Sequence, residues 1–234
     1  CQYGSRCIKL SKNMEKKIDT ISNPYFKYGI SLYKTTDNIK TRMIYGVPPV
    51  SAVWHVNILK QYWHIIVECR KQQNILWDMF ASEYKIKYIE VYRCVYNKNK
   101  WANLGYLYDI CYVLNQYQLI KYWNIDNVPL IKSQWDTIIE DKIYGYHYGK
   151  DLIYLEQKDP QFIERLRLRR FNRYDIKITK ELNGKLNTKN NELNVKVLRI
   201  LTGNIKSNWR DSNNDLRIKN CPVCLKKWKR PLQH

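Results

Sequence analysis

Apolar residues recur at helical spacing through the middle of the chain, and this pattern predicts a mainly α-helical protein. The Gly46–Pro49 stretch breaks the chain and opens the first long helix, because proline is tolerated in a first turn that needs no amide donor. We expect three long helices, over Pro48 to about Arg70, Gln73 to about Tyr96, and Trp101 to Trp123. The connections between them are short and polar, which predicts antiparallel packing in a helical bundle.

The second and fourth predicted helices carry most of the remaining apolar pattern. The second places its apolar residues mostly on one side: Ile75, Leu76, Met79, Phe80, Ile86, Ile89 and Val91. The fourth begins at Pro129, and we expect it to stop near Gly145. The segment Tyr144–Gly149 combines two glycines, three tyrosines and a histidine, and we interpret it as a loop.

A fifth helix is predicted from Gln161 to about Arg173. Its start is indicated by Asp159 and Pro160, an acidic cap followed by proline at the first helical position. Its apolar residues alternate with arginines, so one face can pack while the other forms a basic stripe. The apolar members are Phe162, Ile163 and Leu166.

The pattern divides the chain into three parts. Residues 1–47 are weakly patterned, with turn residues at Pro24 and Thr35–Asn38, and we interpret them as an irregular segment or the remnant of a preceding domain. Residues 48–190 form the helical region. Residues 191–234 comprise a short helix, which Gly203 ends, and a small basic tail.

Charge changes this picture most in the last third of the chain. The formal net charge is +20, and residues 161–234 hold 19 Lys and Arg against 6 Asp and Glu, a net of +13. An AT-rich genome would raise the lysine content without any ligand, but it explains the clustered arginines less well. A basic face of this kind favours contacts with the phosphates of RNA or DNA. The clustered residues are Arg165, Arg167, Arg169, Arg170 and Arg173.

Two cysteines near the end of the chain predict a zinc site. Cys221 and Cys224 are separated by two residues, so both thiolates can face one metal ion, and His234 follows at a plausible distance. These are three ligands, and a fourth would come from elsewhere. The competing interpretation is two free thiols and an unrelated histidine. Lysines and an arginine beside the cysteines favour thiolates and would also face phosphates.

This tail resembles the zinc-binding tail of non-LTR-type retroelement reverse transcriptases. The resemblance rests on a helix ending in Leu198–Asn204, a basic segment, C-x₂-C, nine residues and a histidine, over about residues 193–234. The family's last cysteine is absent here, and the chain begins with Cys1, so we expect a fragment of a longer protein. The resemblance implies zinc, an RNA or DNA partner and an upstream polymerase domain in the same parent chain.

Further residues of the tail are candidates for nucleic-acid binding. Two tryptophans stand beside basic residues and can stack on unpaired bases, although packing is an equally good explanation for them. The candidates are Lys206, Trp209, Arg210, Lys226, Lys227, Trp228, Lys229 and Arg230.

Catalytic motifs are absent from the sequence. It holds no glycine-rich phosphate loop, no His-Glu-x-x-His and no paired aspartates of a polymerase palm. His55 and His64 lack the spacing of a metal pair, and His147 has no evident Cys or Ser partner. We therefore expect a noncatalytic nucleic-acid-binding piece, and the resemblance implies a parent protein that is an RNA-directed DNA polymerase. A helical RNA-contacting structural protein of ribonucleoprotein type is the alternative, and a standalone zinc enzyme ranks last.

The chain also carries indications of compartment. No run of eighteen apolar residues exists, and residues 1–17 lack the apolar core of a signal peptide. Seven cysteines, scattered apart from one pair, suit a reducing environment. We expect an intracellular protein, nuclear or cytoplasmic, without a membrane span.

Overall fold

The structure of the protein, a computed structural model, describes residues 11–29, 37–96, 105–167 and 174. Of these residues, 86% are helical and none lies in a strand. The mainly α-helical class predicted from the apolar spacing is therefore confirmed for the part of the chain that the structure describes.

Seven α-helices lie in the described ranges: α1 Lys12–Gly29, α2 Asn38–Tyr45, α3 Val50–Trp63, α4 Ile75–Tyr96, α5 Gly105–Gln116, α6 Lys132–Lys158 and α7 Pro160–Arg167. A π-helical turn, His64–Cys69, follows α3 directly. Two 3₁₀ turns, Ile120–Trp123 and Ile125–Asn127, connect α5 to α6.

The helices belong to two compact units. Among the described residues, the first unit comprises 11–22, 48–96, 105–150 and 174, and the second comprises 23–29, 37–47 and 151–167. Both α1 and α6 contribute residues to each unit.

Aromatic side chains dominate the core of the first unit. Trp135 is fully buried and donates its indole N–H to the carbonyl of Leu59 at 2.9 Å. The buried Tyr62 hydroxyl donates to the carbonyl of Tyr122 at 2.8 Å. Each large ring thus buries its apolar body and still satisfies its polar atom, which is the condition for placing Tyr and Trp inside a protein. Through these bonds α3 is joined to α6 and to the 3₁₀ turn that precedes it.

Ion pairs and a helix cap organise the second unit. The Asp37 carboxylate caps α2 by accepting from the amides of Ile39 and Lys40, at 2.8 and 3.3 Å. Lys158, at the end of α6, lies 3.2 Å from Asp37. Two more ion pairs involve α2. Arg42 pairs with Asp151 of α6 at 3.1 Å, and Lys40 pairs with Asp159, which lies between α6 and α7. Apolar residues beside them are fully buried: Met43, Ile44, Leu155, Phe162 and Ile163.

The predicted helices over residues 48–123 occur with small shifts. Helix α3 with the π-helical turn matches the first, and α4 matches the second. The third is shorter than predicted, because α5 ends at Gln116 and a 3₁₀ turn continues to Trp123. The antiparallel arrangement of a bundle stays a prediction.

The predicted loop at Tyr144–Gly149 is wrong, because α6 runs without a break from Lys132 to Lys158. Glycine lowers helix propensity by about 1 kcal/mol relative to alanine. Burial of apolar side chains along the same helix outweighs that cost: Trp135, Ile139, Ile143, Tyr144, Tyr148 and Leu155 are all buried.

We expected residues 1–47 to be irregular, but the part of this range that the structure describes is mostly helical. Helices α1 and α2 occupy much of this range, and Pro24, predicted as a turn, lies inside α1. Asp37, predicted within a turn, is the N-cap of α2, and Gly46 ends that helix with a left-handed φ of 65°.

Candidate functional site

The predicted basic helix is partly described, as α7. Its start is as expected: the Asp159 side chain accepts from the Phe162 amide at 3.1 Å, and Pro160 is the first helical residue. Phe162 and Ile163 are 1% and 3% exposed, so the first turn is anchored in the second unit. Arg165 and Arg167 belong to this helix. The apolar part of the predicted pattern is therefore confirmed over this turn.

The other sequence-predicted site residues lie outside the described residues. They include the expected metal ligands Cys221, Cys224 and His234, and the expected nucleic-acid contacts Arg169, Arg170, Arg173, Lys206, Trp209, Arg210, Lys226, Lys227, Trp228, Lys229 and Arg230. Within the ranges that the structure describes, no group of three or more His, Cys, Asp or Glu side chains is placed to hold a metal ion.

A buried polar chain links three helices of the first unit, and we call Glu15, His55, Tyr117 and His147 the His–Tyr chain. The His55 ring is fully buried, and its Nδ1 lies 2.7 Å from the Tyr117 hydroxyl. The same hydroxyl lies 2.9 Å from Nε2 of His147. On the other side of the ring, Nε2 of His55 is 3.2 Å from the Glu15 carboxylate, although not aligned as a regular hydrogen bond.

One proton arrangement satisfies the Tyr117 hydroxyl, although Nε2 of His55 lacks an aligned hydrogen-bond partner. In it, Nδ1 of His55 accepts from the Tyr117 hydroxyl, and Nε2 faces the Glu15 carboxylate. His147 in turn donates from Nε2 to the Tyr117 oxygen. The Gln116 amide also donates to that oxygen, at 3.4 Å. The phenol thus donates once and accepts twice, which is its full capacity.

Burial raises the pKa of Tyr117 far above its ordinary value, and the nearby Glu15 carboxylate raises that pKa further. The phenol therefore stays neutral at physiological pH, and it acts as a bridge between two imidazoles rather than as a nucleophile. No nucleophile is seen in this cluster that would make it a catalytic triad.

A second polar contact, between Asp19 and Ser51, lies beside the Glu15–His55 contact and joins the same two helices, α1 and α3. The Asp19 carboxylate accepts from the Ser51 amide at 2.9 Å and from its hydroxyl at 2.8 Å. Asp19 stands four residues after Glu15 on α1, and Ser51 stands four residues before His55 on α3. Residues four apart share a helix face, so two polar contacts in register hold α1 against α3.

Sequence patterns did not predict the His–Tyr chain or the Asp19–Ser51 contact, because their members come from distant segments. His55 and His64 lack the spacing of a metal pair, and the structure places them differently: His55 is buried against Tyr117, whereas His64 is exposed. His147 was expected in a loop without a Cys or Ser partner, and its partner is Tyr117. A buried-looking histidine on an apolar helix was the available signal, but it does not name the partners.

The three described cysteines are free thiols buried in the core: Cys69, Cys94 and Cys111. Burial raises the pKa of the Cys111 thiol to about 12, so it stays protonated and inert. Burial likewise raises the pKa of Cys69. These thiols are structural, and the metal chemistry predicted for the chain depends on Cys221 and Cys224.

Comparison of the sequence with protein-family models, with curated proteins and with solved structures finds no match to this chain. In the described ranges, no helix combines the length and the apolar character needed to cross a lipid bilayer.

Proposed function

We propose that the chain is a noncatalytic, nucleic-acid-binding part of a retroelement reverse transcriptase-like protein. In this proposal the described helices form a scaffold, and the basic last third binds RNA or DNA. The single observation that carries it is the charge of residues 161–234, a net of +13 within a total of +20. Phosphate contacts are the common reason for such a concentration of Arg and Lys.

The start of this basic segment is held firmly by the second unit. The Asp159 cap and the buried Phe162 and Ile163 attach α7, on which Arg165 and Arg167 stand. Arginines on an anchored helix lose less freedom on binding than arginines on a free tail, so their contacts with phosphates cost less entropy. This anchoring supports the proposal that the arginine cluster is a binding element.

A zinc knuckle would complete the binding surface. Cys221, Cys224 and His234 supply three ligands of the kinds that zinc prefers. The ion would be structural, since it would fold the basic tail rather than activate water. By resemblance, such a tail holds template RNA or target DNA near the polymerase and helps to place the nick-primed end.

The arginine cluster is tested by the salt dependence of binding to single-stranded RNA and DNA. A variant with Arg165, Arg167, Arg169, Arg170 and Arg173 changed to Gln should bind more weakly. Its slope of log affinity against log salt should fall by about 3.5 if all five arginines contact phosphates. Circular dichroism should show that its helix content is unchanged.

The matched control removes the same number of charges elsewhere. Five exposed lysines of the described helices are changed to Gln: Lys12, Lys16, Lys17, Lys132 and Lys142. This control should keep the wild-type slope, because none of these lysines is a proposed phosphate contact. Only general electrostatic attraction would be lost. Equal losses in both variants would contradict a specific arginine site and leave only nonspecific charge attraction.

The alternative function is a helical RNA-contacting structural protein, which the all-helical character of the described residues also suits. The two differ in metal and in genetic context. The reverse transcriptase proposal expects one bound zinc ion that Cys221→Ser removes and Cys94→Ala leaves in place. It also expects an in-frame polymerase palm upstream in the DNA. Zinc that persists in Cys221→Ser would contradict the knuckle.

A further inference from the structure

Helix α4 is apolar on two sides, and the residues that the structure describes cover only one of them. Phe80, Val91, Cys94 and Val95 are buried. The rings of Tyr84 and Tyr88 pack on Trp123, with centroids 5.2 and 5.7 Å apart. The helix is thus already fixed to its own unit through this inner side.

A second line of large apolar residues runs along the exposed side of α4. Ile75, Met79, Ile86, Ile89 and Tyr96 are each between 60% and 79% exposed. Together with Ser82 and Arg93 they recur at alternating steps of four and three residues, and we call these seven positions the α4 stripe. The sequence interpretation placed Ile75, Met79, Ile86 and Ile89 on one side with Phe80 and Val91. That grouping is wrong, because the two sets lie on different sides of the helix.

Alternating steps of four and three give a repeat of 3.5 residues, the spacing at which two helices supercoil around each other. The stripe spans three heptads over the 22 residues of α4, a length of about 33 Å. A narrow seam of this period matches another helix with the same period. A lipid surface instead needs a wide apolar face with basic flanks. The charged residues flanking the stripe are mostly acidic: Asp78, Glu83 and Glu90, against Lys85 alone.

We propose that α4 pairs with α4 of a second copy of this chain, in parallel and in register. The charges beside the stripe decide the partner and its direction. In a parallel pair, Asp78 and Lys85 on one flank each face the residue five positions further on in the other copy. Lys85 therefore meets Glu90, and the symmetry of the dimer forms this pair twice. Asp78 meets Glu83, whose charge Lys87 already offsets at 2.7 Å. In an antiparallel pair Lys85 faces Lys85 and Glu83 faces Glu90, which repel.

The polar members of the stripe lower the affinity of this pairing. Ser82 and Arg93 interrupt an otherwise apolar seam, and in a parallel pair in register Arg93 meets Arg93 of the other copy, where like charges repel. Leu76 and Tyr92 flank the seam and are 47% and 40% exposed, so they add apolar area at its two ends. A reversible dimer is therefore expected rather than an obligate one.

The first test is the mass of the nuclease-treated full chain, measured by sedimentation over a concentration series at fixed salt. The wild type should change from monomer to dimer. Ile86→Lys should weaken the dimer by about tenfold or more, since it places two charges in the centre of the seam. Leu130→Lys is the matched control, because Leu130 is 78% exposed and Ile86 79%, and it should dimerise like the wild type.

Charge reversal tests the direction. Lys85→Glu and Glu90→Lys should each weaken the dimer, by roughly threefold, and the double variant should restore wild-type affinity. A parallel register also predicts that Met79→Cys forms a disulfide-linked dimer under mild oxidation, which the wild type does not form at that position. Efficient cross-linking only between Met79→Cys and Tyr96→Cys chains would contradict the parallel direction.

Other occupants of the stripe give distinguishable results. A chain that stays monomeric at all concentrations overturns the proposal. So does a monomer that binds vesicles or another protein through Ile86. None of these results affects the nucleic-acid proposal, which rests on other residues.

Discussion

Tyr117 is the residue on which the buried polar groups of the first unit depend. Its hydroxyl is shared by His55 and His147, and the His55 ring has no exposed surface. A buried polar group without a partner costs about 1–3 kcal/mol, whereas a satisfied one contributes less than that. Glu15, His55 and His147 stand on α1, α3 and α6, so the arrangement makes these three helices specific for one another.

We expect Tyr117→Phe to lower the free energy of unfolding by about 1–3 kcal/mol, because two imidazole nitrogens lose their common partner. Urea unfolding followed by circular dichroism measures it. Tyr146→Phe is the control, since Tyr146 is half exposed and its ring packs edge-on against Tyr117 at 5.3 Å. An equal loss in the control would mean that removing a half-exposed tyrosine hydroxyl costs as much, and that the bridge between the two imidazoles is not responsible.

Asp37 makes the second unit sensitive to acid. Burial alone would raise the pKa of this carboxyl, but hydrogen bonds from the amides of Ile39 and Lys40 and from Lys158 outweigh burial, and the pKa lies below its ordinary value of 3.8. A depressed pKa means that the folded form favours the carboxylate. The stabilisation is therefore present above pH 3.8 and is lost as the pH falls through the lower, folded-state pKa.

Two substitutions of Asp37 separate its cap from its charge. Asp37→Ala should cost about 1 kcal/mol at neutral pH, because α2 loses its N-cap. Asp37→Asn keeps a good capping side chain and should cost less, but its stability should no longer fall through the acid range in which Asp37 titrates. Thermal unfolding from pH 2 to pH 7 distinguishes them. An unchanged acid response in Asp37→Asn would show that other groups set it.

At the scale of elements, the continuity of α6 has the largest effect on the site. A helix through residues 144–149 places His147 beside Tyr117, which a loop would not have required. A Cβ added at Gly145 or Gly149 would meet no atom within 4 Å, and neither glycine has a left-handed φ. Both glycines are therefore ordinary helical positions.

We expect Gly145→Ala with Gly149→Ala to stabilise the protein by about 1–2 kcal/mol, since alanine reduces the freedom of the unfolded chain at positions whose helical conformation it accepts. Gly46→Ala is the contrasting control. It also has open space around its Cβ, but its φ is +65°, so alanine should destabilise by about 1–2 kcal/mol. Thermal unfolding measures both. No stabilisation by the double substitution would contradict a continuous α6.

At the scale of the whole molecule, the two proposed activities depend on different parts of the chain. Binding of nucleic acid depends on the last third, and self-association depends on the α4 stripe. We expect Ile86→Lys to keep the salt slope of RNA binding, and the five-arginine variant to keep the monomer–dimer equilibrium. Fluorescence titration and sedimentation test the two. Loss of both properties in either variant would show that they are coupled.

Five of the seven cysteines should react in two classes. Cys69, Cys94 and Cys111 are buried and should resist alkylation until the protein unfolds. If zinc binds the tail, then Cys221 and Cys224 should be protected by zinc and exposed by a chelator. Iodoacetamide labelling with peptide mass spectrometry reports each site. If zinc does not change the extent to which Cys221 is labelled, the proposed metal site is contradicted. Cys111 serves as the internal reference.

Sequence patterns predicted elements well where one signal dominated. Gly46–Pro49 marked the start of α3, and Asp159 with Pro160 marked the start of α7, because caps and proline act within a few residues. The prediction failed at Gly145, where local propensity opposed the packing of a long helix. It also grouped the two apolar sides of α4, because spacing shows periodicity and does not show which side another helix covers.

By itself, the sequence determined the helical class, the two clearest helix starts and the concentration of positive charge in residues 161–234. These follow from local propensities and from counting, and neither needs a partner segment. Only the tertiary structure decided that His55, Tyr117, His147 and Glu15 meet, and that none of the helices in the described ranges packs over the α4 stripe. The physical reason is that hydrogen bonding and burial depend on which distant segments come together, and no local pattern in one chain specifies that.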